Sequence, residues 1–103
     1  MNKIKLLPAA RRDLKHITDH ITNVLKNPIA AKNLKNAFKE RLDVLKEFPL
    51  SCAEYQFDQS LRFEENYRMA VVKSYAMFYV LNNDVVEIHR IIYAKMDFNQ
   101  QFE

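Results

Sequence analysis

The 103-residue sequence predicts an α+β fold in the order β-α-α-β-β-β: an N-terminal strand, a two-helix hairpin and a three-stranded antiparallel meander. Three observations carry this. Two segments of helical length open at Pro8 and Pro28 and repeat apolar residues at spacings of three and four. Three later runs are rich in β-branched and aromatic residues and are separated by short polar turns. Ahead of the first helix, residues 3–7 are short and apolar enough for a strand.

Taken in order, Pro8 begins a helix because its missing N–H is not needed there, and Ala10, Leu14, Ile17, Ile21 and Val24/Leu25 paint one face through residue 26. Asn27-Pro28 is a second start signal, a capping side chain followed by proline at the first helical position. Ala30, Leu34, Ala37/Phe38, Leu42 and Leu45 then hold the helical period over residues 28–47, and Phe48-Pro49 closes it. After a polar, irregular stretch at 51–66, strands are predicted at 67–73, 75–81 and 85–93. Asn82-Asn83-Asp84 supplies the last hairpin turn without glycine, since Asn and Asp tolerate left-handed backbone. The helical hairpin is expected on one face of an antiparallel sheet.

The chain has length enough for a single domain spanning residues 1–103, and 49% hydrophobic with 28% charged residues is an ordinary globular balance. It contains no glycine, which excludes the phosphate-cradling loops of Walker-type and dinucleotide-binding folds. One cysteine, Cys52, forms no internal disulfide and no cysteine-based zinc site, which suits a reducing, cytoplasmic address. The apolar stretch at 4–10 is broken by Lys5 and Pro8, so neither a signal peptide nor a membrane span is expected. No cofactor is called for. Charge is uneven, with Lys and Arg against Asp and Glu giving +6 over residues 1–49 and −3 over residues 50–103, a balance that suits an anionic partner.

Alternation makes both faces of the predicted sheet apolar. Met69, Met77 and Tyr79 fall on faces of the same composition as those of Ala70, Ala76, Phe78 and Val80. Two helices cover one face, so the other is either covered by the 51–66 stretch or left for a partner.

Ala9/Ala10, Asp13-Leu14, Ile17 and Ile21, then Pro28, Ala31, Leu34 and Leu45 with Phe48-Pro49, then Tyr67-Arg68, Tyr75, Phe78-Tyr79, Val86, Ile88, Arg90, Ile91-Ile92-Tyr93 and Asp97 form an ordered series over nearly the whole chain. In that order and spacing they resemble the RelE/ParE superfamily of toxins from bacterial type II toxin–antitoxin systems. The resemblance implies a growth-arresting toxin held inactive by a cognate antitoxin that wraps it. It also implies one of two targets. RelE-like members cut mRNA on the translating ribosome with a set of cations and a terminal tyrosine. Of the two basic positions in the strand that begins at Tyr67, this chain keeps Arg68 and has Ala70 at the other; Ala76 stands where the next strand has Arg. Lys95 stands for another Arg without its bidentate fork, and Phe98 and Phe102 are the nearest aromatics to the terminal tyrosine. The catalytic set is thinned to Arg68 and Lys95, with His89 as a weaker acid or base. ParE-like members poison DNA gyrase by binding and need no such set, so the reading leans to gyrase. The ribosome-dependent endoribonuclease and a non-toxic nucleic-acid- or antitoxin-binding module stay open as alternatives. Whether the chain is an enzyme turns on that choice.

Lys73, Arg90, Phe78 and Ala76 are read as binding residues, the two cations facing phosphate or an acidic antitoxin segment together with Arg68 and Lys95. His16 and His20 stand one helical turn apart, a metal-ligating spacing, but no third ligand accompanies them and they fall away from the apolar stripe. Cys52 lacks a legible histidine partner and reads as an inert or partly buried thiol. Lys32, Lys35, Lys39, Arg41 and Lys46 on the second helix offer a direct nucleic-acid surface, or simply a solvated face.

Overall fold

A computed structural model describes residues 2–55 and 66–95. Most of the 51–66 stretch and the positions Asp97, Phe98 and Phe102 lie outside the described residues. The observed order is β1 (Lys3–Leu6), α1 (Pro8–Asp19), a π-helical turn (His20–Val24), α2 (Pro28–Glu47), β2 (Arg68–Val72), β3 (Tyr75–Asn82) and β4 (Val85–Tyr93). This is the α+β class that the sequence predicts.

The first helix departs from expectation at its end. Regular α-helix stops at Asp19, and the next turn closes through the wider ring in which the Leu25 N–H bonds the His20 carbonyl at 3.1 Å. A wider turn rotates later residues off the stripe. Ile21 still packs on the core, whereas Val24 and Leu25 are 64% and 60% exposed instead of continuing the apolar face. The chain reverses at Lys26, which takes positive φ (54°), and Asn27 then accepts the Ala30 N–H on its side-chain oxygen at 3.0 Å. That cap satisfies one of the open donors of α2. Replacing Asn27 by Ala is expected to lower stability by about 1 kcal/mol in urea unfolding.

The sheet has four strands in the order β1-β4-β3-β2. It is mixed, not wholly antiparallel: β2–β3 and β3–β4 are antiparallel hairpins, but β1 lies parallel to β4, with Lys3 opposite Val85 and Leu6 opposite Ile88. Without glycine, the two hairpin turns place Lys73 and Asn83 in the left-handed region, at φ 52° and 58°. The Asn82 turn therefore forms as expected. Between Phe78/Tyr79 and their partners the β3–β4 register slips by one, so His89 has no residue opposite it.

The slip re-phases β4. Val86 and Ile88 before it, and Ile91 after it, all face the helices. There they join Ala10, Leu34, Phe38, Leu45, Ala70, Val72, Met77 and Tyr79 in one core, with Leu14, Ile17 and Ile21 of the first helical segment packed against it. The stripes of both helices thus reach the same sheet face, as a helical hairpin requires. On the opposite face Tyr67, Ala76, Phe78 and Ile92 are also buried, and Tyr55 meets the Phe78 ring edge-on at 5.4 Å. Tyr55, at the start of the 51–66 stretch, covers part of this face; residues 56–65, on which the rest of the expected cover depends, lie outside the described residues.

Candidate functional site

β1 is only four residues long and β4 is nine, so β1 shields the outer margin of β4 only as far as Ile88, whose carbonyl takes the Leu7 N–H at 3.0 Å. Past that point α1 approaches the margin. Asp13 accepts the backbone N–H of Ile91 on Oδ2 at 2.9 Å and both Nε and Nη2 of Arg90, at 2.7 and 3.1 Å. A carboxylate meeting a planar guanidinium through two parallel bonds is the geometry that makes arginine pairs strong. The hydrogen bonds that Arg90 donates to Asp13, opposed in part by burial, raise the Arg90 pKa above its ordinary value. Arg90, read from sequence as a binding cation, is committed to this internal pair.

Between the first helical segment and this half of β4 runs a groove. One cavity of about 570 Å³ is lined by Arg12, Asp13, His16, Tyr75, Arg90 and Tyr93. A second, about 420 Å³, is lined by His16, His20, Ile21, Leu25, Tyr75 and Tyr93. His16, Tyr75 and Tyr93 border both, and the two tyrosine rings meet at 5.7 Å with their planes at 60°. The histidines that spacing alone placed on a solvated face therefore edge a concave surface. Among the described residues no group of three metal-ligating side chains occurs.

Arg68 and Lys95, the predicted catalytic cations, do not converge. Arg68 Nη1 donates to the Cys52 carbonyl at 2.5 Å, and its Nη2 lies 3.9 Å from Glu54. Lys95 follows β4 beside the opposite end of β2: Arg68 pairs with Tyr79, whereas Val72 pairs with Tyr75 and Tyr75 with Tyr93. Four residues of strand put roughly 13 Å between those two ends. Lys73 lies in the β2–β3 turn next to Ser74, whose carbonyl takes the Ala94 N–H at 2.8 Å, so the backbone gathers Lys73 and Lys95 at one end. Ala76 and Phe78, read as binding residues, are 1% and 0% exposed. A partner reaches them only by displacing their cover.

His89 lies on the outer face, its Nδ1 3.0 Å from the Tyr67 hydroxyl and its Nε2 3.5 Å from Glu87. Sequence reading named His89 without these partners, because Tyr67 lies just ahead of β2, 22 residues away, and the bulge interrupts the alternation of β4 at His89. Cys52 is buried and accepts a hydrogen bond from Arg41 Nη2 at 3.2 Å. Arg41 is thereby tied to Cys52; of the other cations named on α2, Lys32, Lys35 and Lys39 are exposed and Lys46 lies 4.0 Å from Asp43.

A helical hairpin on a mixed four-stranded sheet with a C-terminal meander fits the RelE/ParE class of small toxins. The family model "ParE toxin of type II toxin-antitoxin system, parDE" matches residues 4–98, and the chain belongs to that family. No curated protein sequence matches it. Among solved structures, a chain of the chromosomal ParDE toxin–antitoxin system of P. aeruginosa superposes with a TM-score of 0.71 at 20% identity, covering 92% of this chain and 98% of that one. At that identity the likeness is one of fold. Among the described residues no helix is long and apolar enough to cross a membrane.

Proposed function

We propose that this toxin arrests growth by binding and poisoning DNA gyrase in the cytoplasm, and that a cognate antitoxin neutralises it. The observation that supports gyrase over mRNA is the dispersal of the cations on which RNA cleavage would draw. Stabilising a crowded phosphate needs several cations preorganised around one point. Here Arg68 is engaged by a carbonyl and a carboxylate, and Lys95 stands at the far end of the adjoining strand. The two other positions at which the nuclease branch carries basic residues are Ala70 and Ala76, both buried.

Induced expression separates the targets. Under the gyrase reading, growth stops with mRNA intact, DNA breaks accumulate, and the purified chain inhibits supercoiling in vitro. Codon-phased mRNA cuts with normal supercoiling would instead assign the ribosome. Co-expression of the protein encoded beside this chain is expected to restore growth in either case.

A further inference from the structure

We infer that the groove between the first helical segment and the outer margin of β4 binds single-stranded DNA, with unpaired bases on its tyrosines and phosphates along its rim. The binding chemistry is read from the groove itself; its use on a strand that gyrase opens rests on the gyrase reading above. Two adjoining cavities, about 570 and 420 Å³, share Tyr75 and Tyr93, whose rings meet at 5.7 Å. Tyr93 is 40% exposed at the end of β4. An exposed ring beside a concavity is a platform on which any base can stack, and only an unpaired base can reach it.

The rim supplies cations on two sides. Along α1, Arg12, His16 and His20 recur every fourth residue, and the His20 N–H still bonds the His16 carbonyl, so the helical period holds across all three. Successive members of this row stand about 6 Å apart. Arginine is permanently charged, and each imidazole offers a ring N–H in either protonation state. At the sheet end beside the tyrosines, Lys73 and Lys95 are exposed and are gathered by the bond between Ala94 and Ser74. A row of donors at a regular interval suits a chain of repeating anions better than a single carboxylate.

These groups are open to an incoming phosphate. Among the described residues no ion pair joins Arg12, Lys73 or Lys95 to an acid. The carboxylate lining the groove, Asp13, is already engaged by Arg90 and the Ile91 amide. Other surfaces offer only half of this combination. The hollow that Lys35 borders on α2 is lined by Arg11, Lys15 and Asp19 and by no aromatic side chain. Exposed Val44 and Val71 stand beside Glu40, where a phosphate meets like charge.

The test titrates the purified chain into a fluorescently labelled oligothymidylate and follows anisotropy. Wild type is expected to bind this strand more tightly than its duplex with oligoadenylate, and to lose affinity as salt is added. Y93A and R12E/H16E are each expected to weaken binding by about tenfold or more, with a shallower salt dependence in R12E/H16E alone. Y93F keeps the ring and is expected to keep most of the affinity. K32E/K39E, a charge reversal on α2, is expected to lose less than R12E/H16E does. Circular dichroism and thermal midpoints check that each variant is folded. Wild-type affinity in Y93A, or equal losses in K32E/K39E and R12E/H16E, would mark diffuse attraction to the chain and overturn the groove. Preference for oligouridylate over oligothymidylate would assign the site to RNA and overturn the inference. Supercoiling assays on the same variants keep the two readings apart, with inhibition expected to weaken in Y93A and R12E/H16E. Inhibition by wild type without binding of oligothymidylate leaves the gyrase reading standing and removes the groove. Groove-dependent binding with supercoiling untouched removes the gyrase reading and, with it, the use on an opened strand.

Discussion

Phe38→Ala is expected to destabilise the chain by about 3–5 kcal/mol, a large part of the roughly 5–15 kcal/mol that holds a small domain folded. Phe38 is 2% exposed at the middle of α2, and its ring lies 6.2 Å from that of Tyr75 across the helix–sheet interface. Removing it opens a cavity between elements that Leu34, Leu45 and the sheet hold in fixed positions, so little collapse offsets the loss. Urea unfolding at an unchanged slope checks the value. A loss below about 1 kcal/mol would mean that α2 contributes little to the core.

A second large effect is expected at high pH. The Tyr79 side chain is fully buried, and its hydroxyl donates to the Pro49 carbonyl at 2.8 Å. Burial, reinforced by Cys52 beside it, pushes its pKa far above the ordinary tyrosine range. The sign follows from proton counting. Below about pH 10 the residue is protonated whether folded or unfolded; above it the unfolded tyrosine ionises while the folded one keeps its proton. Stability is therefore fully present below about pH 10 and falls as pH rises, with a slope approaching roughly 1.4 kcal/mol per pH unit. Tyr75, raised chiefly by burial, acts in the same direction. Tyr79→Phe should cost about 1 kcal/mol at neutral pH through the lost hydrogen bond and should flatten the alkaline limb of unfolding midpoints measured from pH 8 to 11.5. An unchanged limb would show that Tyr79 ionises without unfolding.

What could be read from the sequence was local. The bounds of α2, residues 28–47, follow from Asn27 as cap, Pro28 at the first position and Phe48-Pro49 at the end, and β4 at 85–93 follows from its β-branched run after an Asn turn. The π-helical turn did not show, because the spacing from Ile17 through Ile21 to Leu25 suits a regular helix equally well. Nor did the parallel β1–β4 pairing, which depends on where two distant strands meet. The site suffered most. Asp13 and Arg90 are 77 residues apart, and simple alternation through Ile88, His89 and Arg90 assigns faces that the one-residue slip in β4 overrules. The cation set was named from positions along the strands, yet whether cations converge depends on strand order, which spacing does not encode.

The Asp13–Ile91 contact has a consequence for the free chain in a crowded solution. A β-strand with an open margin is a template on which another chain's strand can add, and repetition of that step gives aggregates. β4 runs past the end of its short neighbour, and its Ile91-Ile92-Tyr93 end is the apolar kind of margin on which such growth begins. The Asp13 side chain occupies an amide donor that an invading strand would need, and the charge pair with Arg90 stands in its path. The bond that fastens α1 to the sheet thereby also opposes the addition of a second copy's strand at Ile91.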